Sequence, residues 1–128
     1  MKATISKDFE FSASHQLTHL PSDHPCSRVH GHNYAVRVEL SGVVSRDTGF
    51  VLDYRLLNPI KQWLDDTFDH RHLNDVIPGW PTAEHIAAFI SAHIDGAWGF
   101  TLPTRPNGVS LSGVGVSETP KTWAWWRP

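Results

Sequence analysis

The stretch that most constrains the fold is HGHNYAVRVELSGVV, from His30 to Val44. In an extended chain it puts Tyr34, Val36, Val38 and Leu40 on one side and Ala35, Arg37 and Glu39 on the other. A strand with one apolar face needs a cover on that face and can show the other to water. A partner of the same habit lies upstream. From about Thr4 to Ser14 the chain reads as a strand with Phe9 and Phe11 on one face and His15 near its end. The segment between them, THLPSDHPCSRV, has the proline, serine and aspartate content of a loop.

Helical spacing follows a turn at Ser45–Gly49. Leu56, Leu57, Ile60, Trp63 and Leu64 recur at helical intervals over about Tyr54–Thr67, with Pro59 in the first turn or at a kink. DHRHLND reads as irregular. A second helix starts after Pro81, with Thr82 as candidate N-cap and Ile86, Phe89, Ile90 and His93 or Ile94 as its inner stripe. A Pro/Gly-punctuated connection leads to GVSLSGVGVSET, a strand with Val109, Leu111, Val114 and Val116 inward and a bulge expected at Gly113 or Gly115. A short strand through Thr122–Trp126 ends the chain. The order ββααββ predicts an α+β fold: an antiparallel four-stranded sheet with two helices on one face.

At 128 residues the chain suits one domain, residues 1–128, with one core. A net charge of −2 and scattered basic residues give no track for a phosphate backbone, which argues against nucleic-acid binding. The opening MKATISKDFEFSASH has no unbroken apolar run, so neither a signal peptide nor a membrane span is expected and the location is read as cytoplasmic. The single cysteine, Cys26, has no internal partner for a disulfide.

Nine histidines direct attention to the chemistry. His30 and His32, two apart on a strand, share a face, and His15 at the end of the preceding strand adds a third imidazole. Three nitrogens without a thiolate match the catalytic type of zinc site, which keeps a position open for water or substrate. Alone, an H-x-H pair is more often two strand-end histidines, and three neutral ligands define no unique metal. Cys26, four residues before His30, is either a thiolate base beside the site or a small buried hydrophobe. Asp69-His70 is a candidate proton-handling pair, although such dipeptides are frequent by chance. Glu118, after an apolar alternation, is either a bidentate acceptor for a flat heterocycle or a strand-end surface charge.

Together, FEFSASHQL, CSRVHGHNY, GFVLDY, FDHRHLND, PTAEH and VSETP span nearly the whole chain and resemble the 6-pyruvoyltetrahydropterin synthase / 6-carboxytetrahydropterin synthase family. The spacing from Cys26 to His30 and His32 is similar to the bacterial queuosine-biosynthesis branch. The resemblance implies His15, His30 and His32 as Zn2+ ligands, Cys26 as catalytic base, Asp69 and His70 as proton relay and Glu118 as pterin anchor. It also implies the tunnelling fold (T-fold), a homohexamer built as a dimer of trimers with active sites between subunits, and a pterin triphosphate as the small-molecule substrate. The implied activity is zinc-dependent 6-carboxy-5,6,7,8-tetrahydropterin synthase, with 6-pyruvoyltetrahydropterin synthase or a non-catalytic pterin- or zinc-binding homologue as alternatives. Pro25 stands where relatives often carry lysine, and His85 where asparagine is common. The tail KTWAWWRP is read as core or subunit packing.

Overall fold

The computed structural model describes residues 1–97 and 108–128. The element order is β1 (Lys2–His15), β2 (His30–Val43), α1 (Asn58–Thr67), β3 (Arg71–His72), α2 (Ala83–Ala97), β4 (Ser110–Ser117) and β5 (Ala124–Trp126). The strands form one sheet in the order β3-β1-β2-β4-β5. The α+β class is as expected, but the sheet has five strands and not four. The extra one, β3, lies within the stretch read as irregular, and it pairs parallel to β1 through Ala13↔Arg71 and Ser14↔His72. Two residues carry no alternation to read. What makes them a strand is the open edge of β1, where the His70 N–H donates to the Ser12 carbonyl at 2.6 Å.

β1 and β2 form an antiparallel ladder from Lys2↔Val43 to His15↔His30, so the two alternating segments share one apolar face. On it Phe9, Phe11, Tyr34, Val36, Val38, Leu40, Val114 and Val116 are buried with Ile60 and Leu64 of α1 and Ile86, Ile90 and Ile94 of α2. Both helices therefore cover this face and leave the other open. Val109 and Leu111 are buried as expected. The bulge sits beside the expected glycines: Leu40 pairs with Leu111 and Glu39 with Gly113, which makes Ser112 the extra residue.

The first helix is shorter than its pattern. A single 3-10 turn, Tyr54–Leu57, precedes α1, and Pro59 lies in the first turn of α1, where a missing N–H costs nothing. That turn leaves Leu56 42% exposed while Leu57 and Ile60 go inward. Thr82 caps α2 through its hydroxyl, which accepts the His85 N–H at 3.3 Å. On the inner stripe Ile94 is buried, whereas half-buried His93 stacks on Trp63 with ring centroids 3.7 Å apart. The Pro/Gly-punctuated connection expected after α2 lies outside the described residues.

The tryptophan-rich tail divides between the two faces. Trp126 packs against the core, while Trp125 lies over Gly115, where an added Cβ would fall 2.8 Å from the indole. Trp123 and Trp125 stack at 6.1 Å, with the Arg37 and Arg127 guanidinium groups over their rings at 4.6 and 4.5 Å. Asp8 and Glu39 pair with those two arginines. No helix among the described residues is long and apolar enough to cross a membrane.

Candidate metal centre and active site

The last rung of the β1–β2 ladder, His15↔His30, sets two imidazoles side by side, and His32 on the same face of β2 adds the third. One ring nitrogen from each of the three lies within 4.8 Å of the others. Two main-chain carbonyls fix the rings. His15 Nδ1 donates to the Pro81 carbonyl at 2.8 Å and His30 Nδ1 to the Arg28 carbonyl at 2.7 Å. A carbonyl only accepts, so in each neutral ring the proton is on Nδ1 and the Nε2 lone pair is bare. Yet the two Nε2 atoms are 2.9 Å apart. No hydrogen bridges two bare lone pairs, whereas a cation does. Tetrahedral zinc with bonds of 2.0–2.1 Å would hold such nitrogens about 3.3 Å apart, close to the spacing found.

His32 Nε2 is buried and has no hydrogen-bond partner. The nearest carboxylate, Glu118, has one oxygen 3.8 Å from it and the other 3.9 Å from His15 Nε2, too long for hydrogen bonds. Glu118 follows the end of β4, and the β2–β4 register extended by one pair past Ala35↔Ser117 sets it opposite Tyr34. Burial pushes the pKa values of His15 and His32 down, which favours the neutral form that can ligate. Burial, with Glu118 nearby, pushes the Tyr34 phenol up. Three converging nitrogens, an orphaned one among them, and an adjacent carboxylate fit a bound zinc-like cation.

Cys26 lies in the loop between β1 and β2, in a one-turn 3-10 helix over Pro25–Ser27. It is half-buried. The neck of the loop is closed by the Leu17 N–H on the Cys26 carbonyl at 2.9 Å and by Gln16 Nε2 on the Ser27 carbonyl at 2.8 Å. Further out, His19 stacks on Trp80 with centroids 4.0 Å apart. The Cys26 sulfur is not a member of the three-imidazole cluster.

Asp69 and His70 do form a pair. Asp69 Oδ2 accepts from His70 Nδ1 at 2.8 Å and Oδ1 accepts the Ser12 N–H at 2.9 Å. These bonds hold the Asp69 carboxyl below its usual range, the backbone N–H contributing most. His70 has φ +57°, a left-handed conformation uncommon outside glycine, held by its N–H on Ser12. Its ring is 83% exposed and borders a cavity of about 650 Å³ lined by Ser12, Ser14, His32, Asn33, Arg71 and His72. Ser12 and Ser14 alternate with buried Ala13 and His15, so this cavity opens on the helix-free face. Within one chain the His70 ring therefore shares the lining of this cavity with His32, while His15 projects to the helix-covered face.

Several of the remaining histidines, and Arg71, have other occupations. His24 accepts the Cys26 N–H, His72 bonds Ser14, His85 donates to the Trp80 carbonyl, and Arg71 reaches the Asp66 carbonyl at 3.4 Å. Sequence reasoning missed the Pro81 and Arg28 carbonyls, for which no side-chain signal exists. It also missed Tyr34, which the period of two in His30, His32, Tyr34 places on the same face.

The family model for 6-pyruvoyl tetrahydropterin synthase matches residues 4–128. The chain is 33% identical to the 6-carboxy-5,6,7,8-tetrahydropterin synthase of Bacillus subtilis (strain 168), covering 97% of this chain and 84% of that protein. It is 35% identical to the enzyme of that name from Synechocystis, over 73% of this chain and 75% of the other. Its fold superposes on the 6-pyruvoyl tetrahydropterin synthase of Caenorhabditis elegans with a TM-score of 0.82 at 26% identity, covering 100% and 96% of the two chains.

Proposed function

The chain belongs to the 6-pyruvoyl tetrahydropterin synthase family, and from that premise we propose that it is a zinc-dependent 6-carboxy-5,6,7,8-tetrahydropterin synthase. The observation that carries the metal reading is the pair of bare Nε2 atoms of His15 and His30 held 2.9 Å apart by two carbonyls, with His32 Nε2 unpartnered beside them. The similarity to relatives of that name over most of the chain supports the activity. The reaction takes 7,8-dihydroneopterin triphosphate and water to 6-carboxytetrahydropterin, acetaldehyde and triphosphate, a lyase step serving 7-deazaguanine (queuosine) synthesis in the cytoplasm.

His15, His30 and His32 would hold zinc, which supplies Lewis acidity toward the hydroxyls of the substrate side chain. Glu118 accepts two hydrogen bonds from the ring N–H and amino group of the pterin and so sets the side chain against the imidazoles. Cys26, as thiolate, takes the carbon-bound proton next to a side-chain hydroxyl. His70 handles the partner proton at Nε2, its Nδ1–H held on Asp69. The pair lies beside β3 at the edge of the sheet with the His70 ring 83% exposed, so it can serve a site shared with a second copy. This supports the single domain of residues 1–128 assembling as trimers and a hexamer, with sites between subunits.

Zinc-loaded protein incubated with 7,8-dihydroneopterin triphosphate should give carboxytetrahydropterin and acetaldehyde by mass spectrometry, and Cys26→Ala should lose turnover while keeping zinc. Full activity in that variant refutes the base assignment. The likeness to the Caenorhabditis elegans synthase favours a second reading, formation of 6-pyruvoyltetrahydropterin, and a product retaining the three-carbon side chain would select it.

A further inference from the structure

One residue beside the imidazoles has no part in this scheme. Tyr34 follows His32 by two positions and projects to the same helix-covered face of β2. It is 0% exposed, stacked on Phe11 at 4.9 Å and 12°, and its ring stands edge-on to those of His32 and His15 at 5.4 and 5.9 Å. Phe11 pairs with it on one side, and the extended register sets Glu118 opposite on the other. Tyr34 thus occupies the sheet position between the core and the pterin-anchoring carboxylate, directly next to the metal ligands.

Among the described residues two buried side-chain polar atoms lack a hydrogen-bond partner, and they are His32 Nε2 and the Tyr34 hydroxyl. They lie two residues apart on one strand face. Burying an unpaired hydroxyl forfeits its hydration without return. Phenylalanine would keep the stacking on Phe11 and the edge contacts without that cost. The imidazole nitrogen is accounted for by the cation it would bind, and the hydroxyl is explained in the same way if its partner arrives with the ligand.

We propose that the Tyr34 hydroxyl is a substrate-contacting hydrogen-bond donor, and that its acceptor is a hydroxyl oxygen of the pterin side chain bound beside the three imidazoles. The proposal rests on the pterin-binding reading above and adds to it a recognition element for the hydroxylated side chain as distinct from the ring. Glu118 reads the ring. Tyr34 then reads what hangs from it.

The test uses zinc-loaded wild type and Tyr34→Phe with two probes, 7,8-dihydroneopterin, which carries side-chain hydroxyls, and 7,8-dihydropterin, which has no side chain. Dissociation constants are read by ligand fluorescence, and Tm is read on the zinc-free proteins. Loss of one hydrogen bond predicts dihydroneopterin binding weaker by roughly tenfold and dihydropterin binding within about twofold of wild type. The zinc-free Tm should be unchanged or higher, because an unpaired buried hydroxyl has been removed. Equal affinity of both variants for dihydroneopterin overturns the proposal, as does equal weakening toward the two probes. A zinc-free Tm lowered by several degrees assigns the hydroxyl to a structural partner such as a buried water and also overturns it. If wild type binds neither probe, the pterin reading itself fails, a result distinct from all of these.

Discussion

Trp80→Ala tests whether the stack on His19 keeps the loop carrying Cys26 closed. The substitution removes a ring contact with a centroid distance of 4.0 Å and an angle of 26°. It leaves the neck of the loop intact, since the bonds to the Cys26 and Ser27 carbonyls come from Leu17 and Gln16. Trp80 is 45% exposed, so its loss opens no core cavity. A stacked pair contributes about 0.5–1.5 kcal/mol beyond its buried area. At about 1.4 kcal/mol per factor of ten, the opening constant of the loop should rise about 2- to 12-fold. Cys26 is the sole thiol, so alkylation by iodoacetamide followed by intact mass reads that opening without interference. We expect the second-order rate to rise by that factor, Trp80→Phe to restore most of it, and Tm to stay within a few degrees of wild type. An alkylation rate in Trp80→Ala equal to wild type would refute the reasoning.

Two further outcomes concern the rest of the fold. Gly115→Ala places a Cβ 2.8 Å from the Trp125 indole; it should destabilise by about 1–3 kcal/mol in urea titrations and loosen β5, seen as altered tryptophan fluorescence. Burial lowers the pKa of His93, so below the ordinary histidine value the unfolded chain takes up a proton more readily than the folded one. Its contribution to stability is thus present above pH ~6.5 and lost as pH falls toward the folded-state value. His93→Phe, which keeps a ring on Trp63, should show a smaller drop in urea midpoint between pH 7.5 and 5.5 than wild type; an equal drop would count against the assignment.

Much of this was legible because it is local. The period of two over His30–Val43 and the apolar partners in β1 decide pairing and face together, and they bring His15 to His30 without further information. β3 was not legible, because its two residues are recruited by the free edge of β1 and not by their own pattern. The helix at Asn58–Thr67 was overextended: the apolar spacing continues through Leu56 and Leu57, but those residues form a 3-10 turn ahead of α1. The carbonyl that orients His15 is 66 positions away in sequence, and a main-chain acceptor at that distance leaves no mark on residue choice. Asp69 and His70 read as a pair, but their place at the sheet edge does not, since it is set by hydrogen bonds to the Ser12 main chain, 57 positions from Asp69.

The rung His15↔His30 is both the last pair of the long ladder and two thirds of the proposed ligand set. A hairpin unzips from its ends, and this end opens into the loop of residues 16–29 where a tight turn would otherwise hold the strands together. A cation bound there would act as a rivet at the mouth of the hairpin. Its affinity and the closure of that mouth are one linked quantity, so every decade of free metal above its dissociation constant adds about 1.4 kcal/mol to the zipped state. Starved of metal, the chain would fray first at the end that carries its chemistry, while the far end at Lys2↔Val43 would feel little change. Metal supply would thereby be registered as order in the loop that presents Cys26, before any substrate arrives.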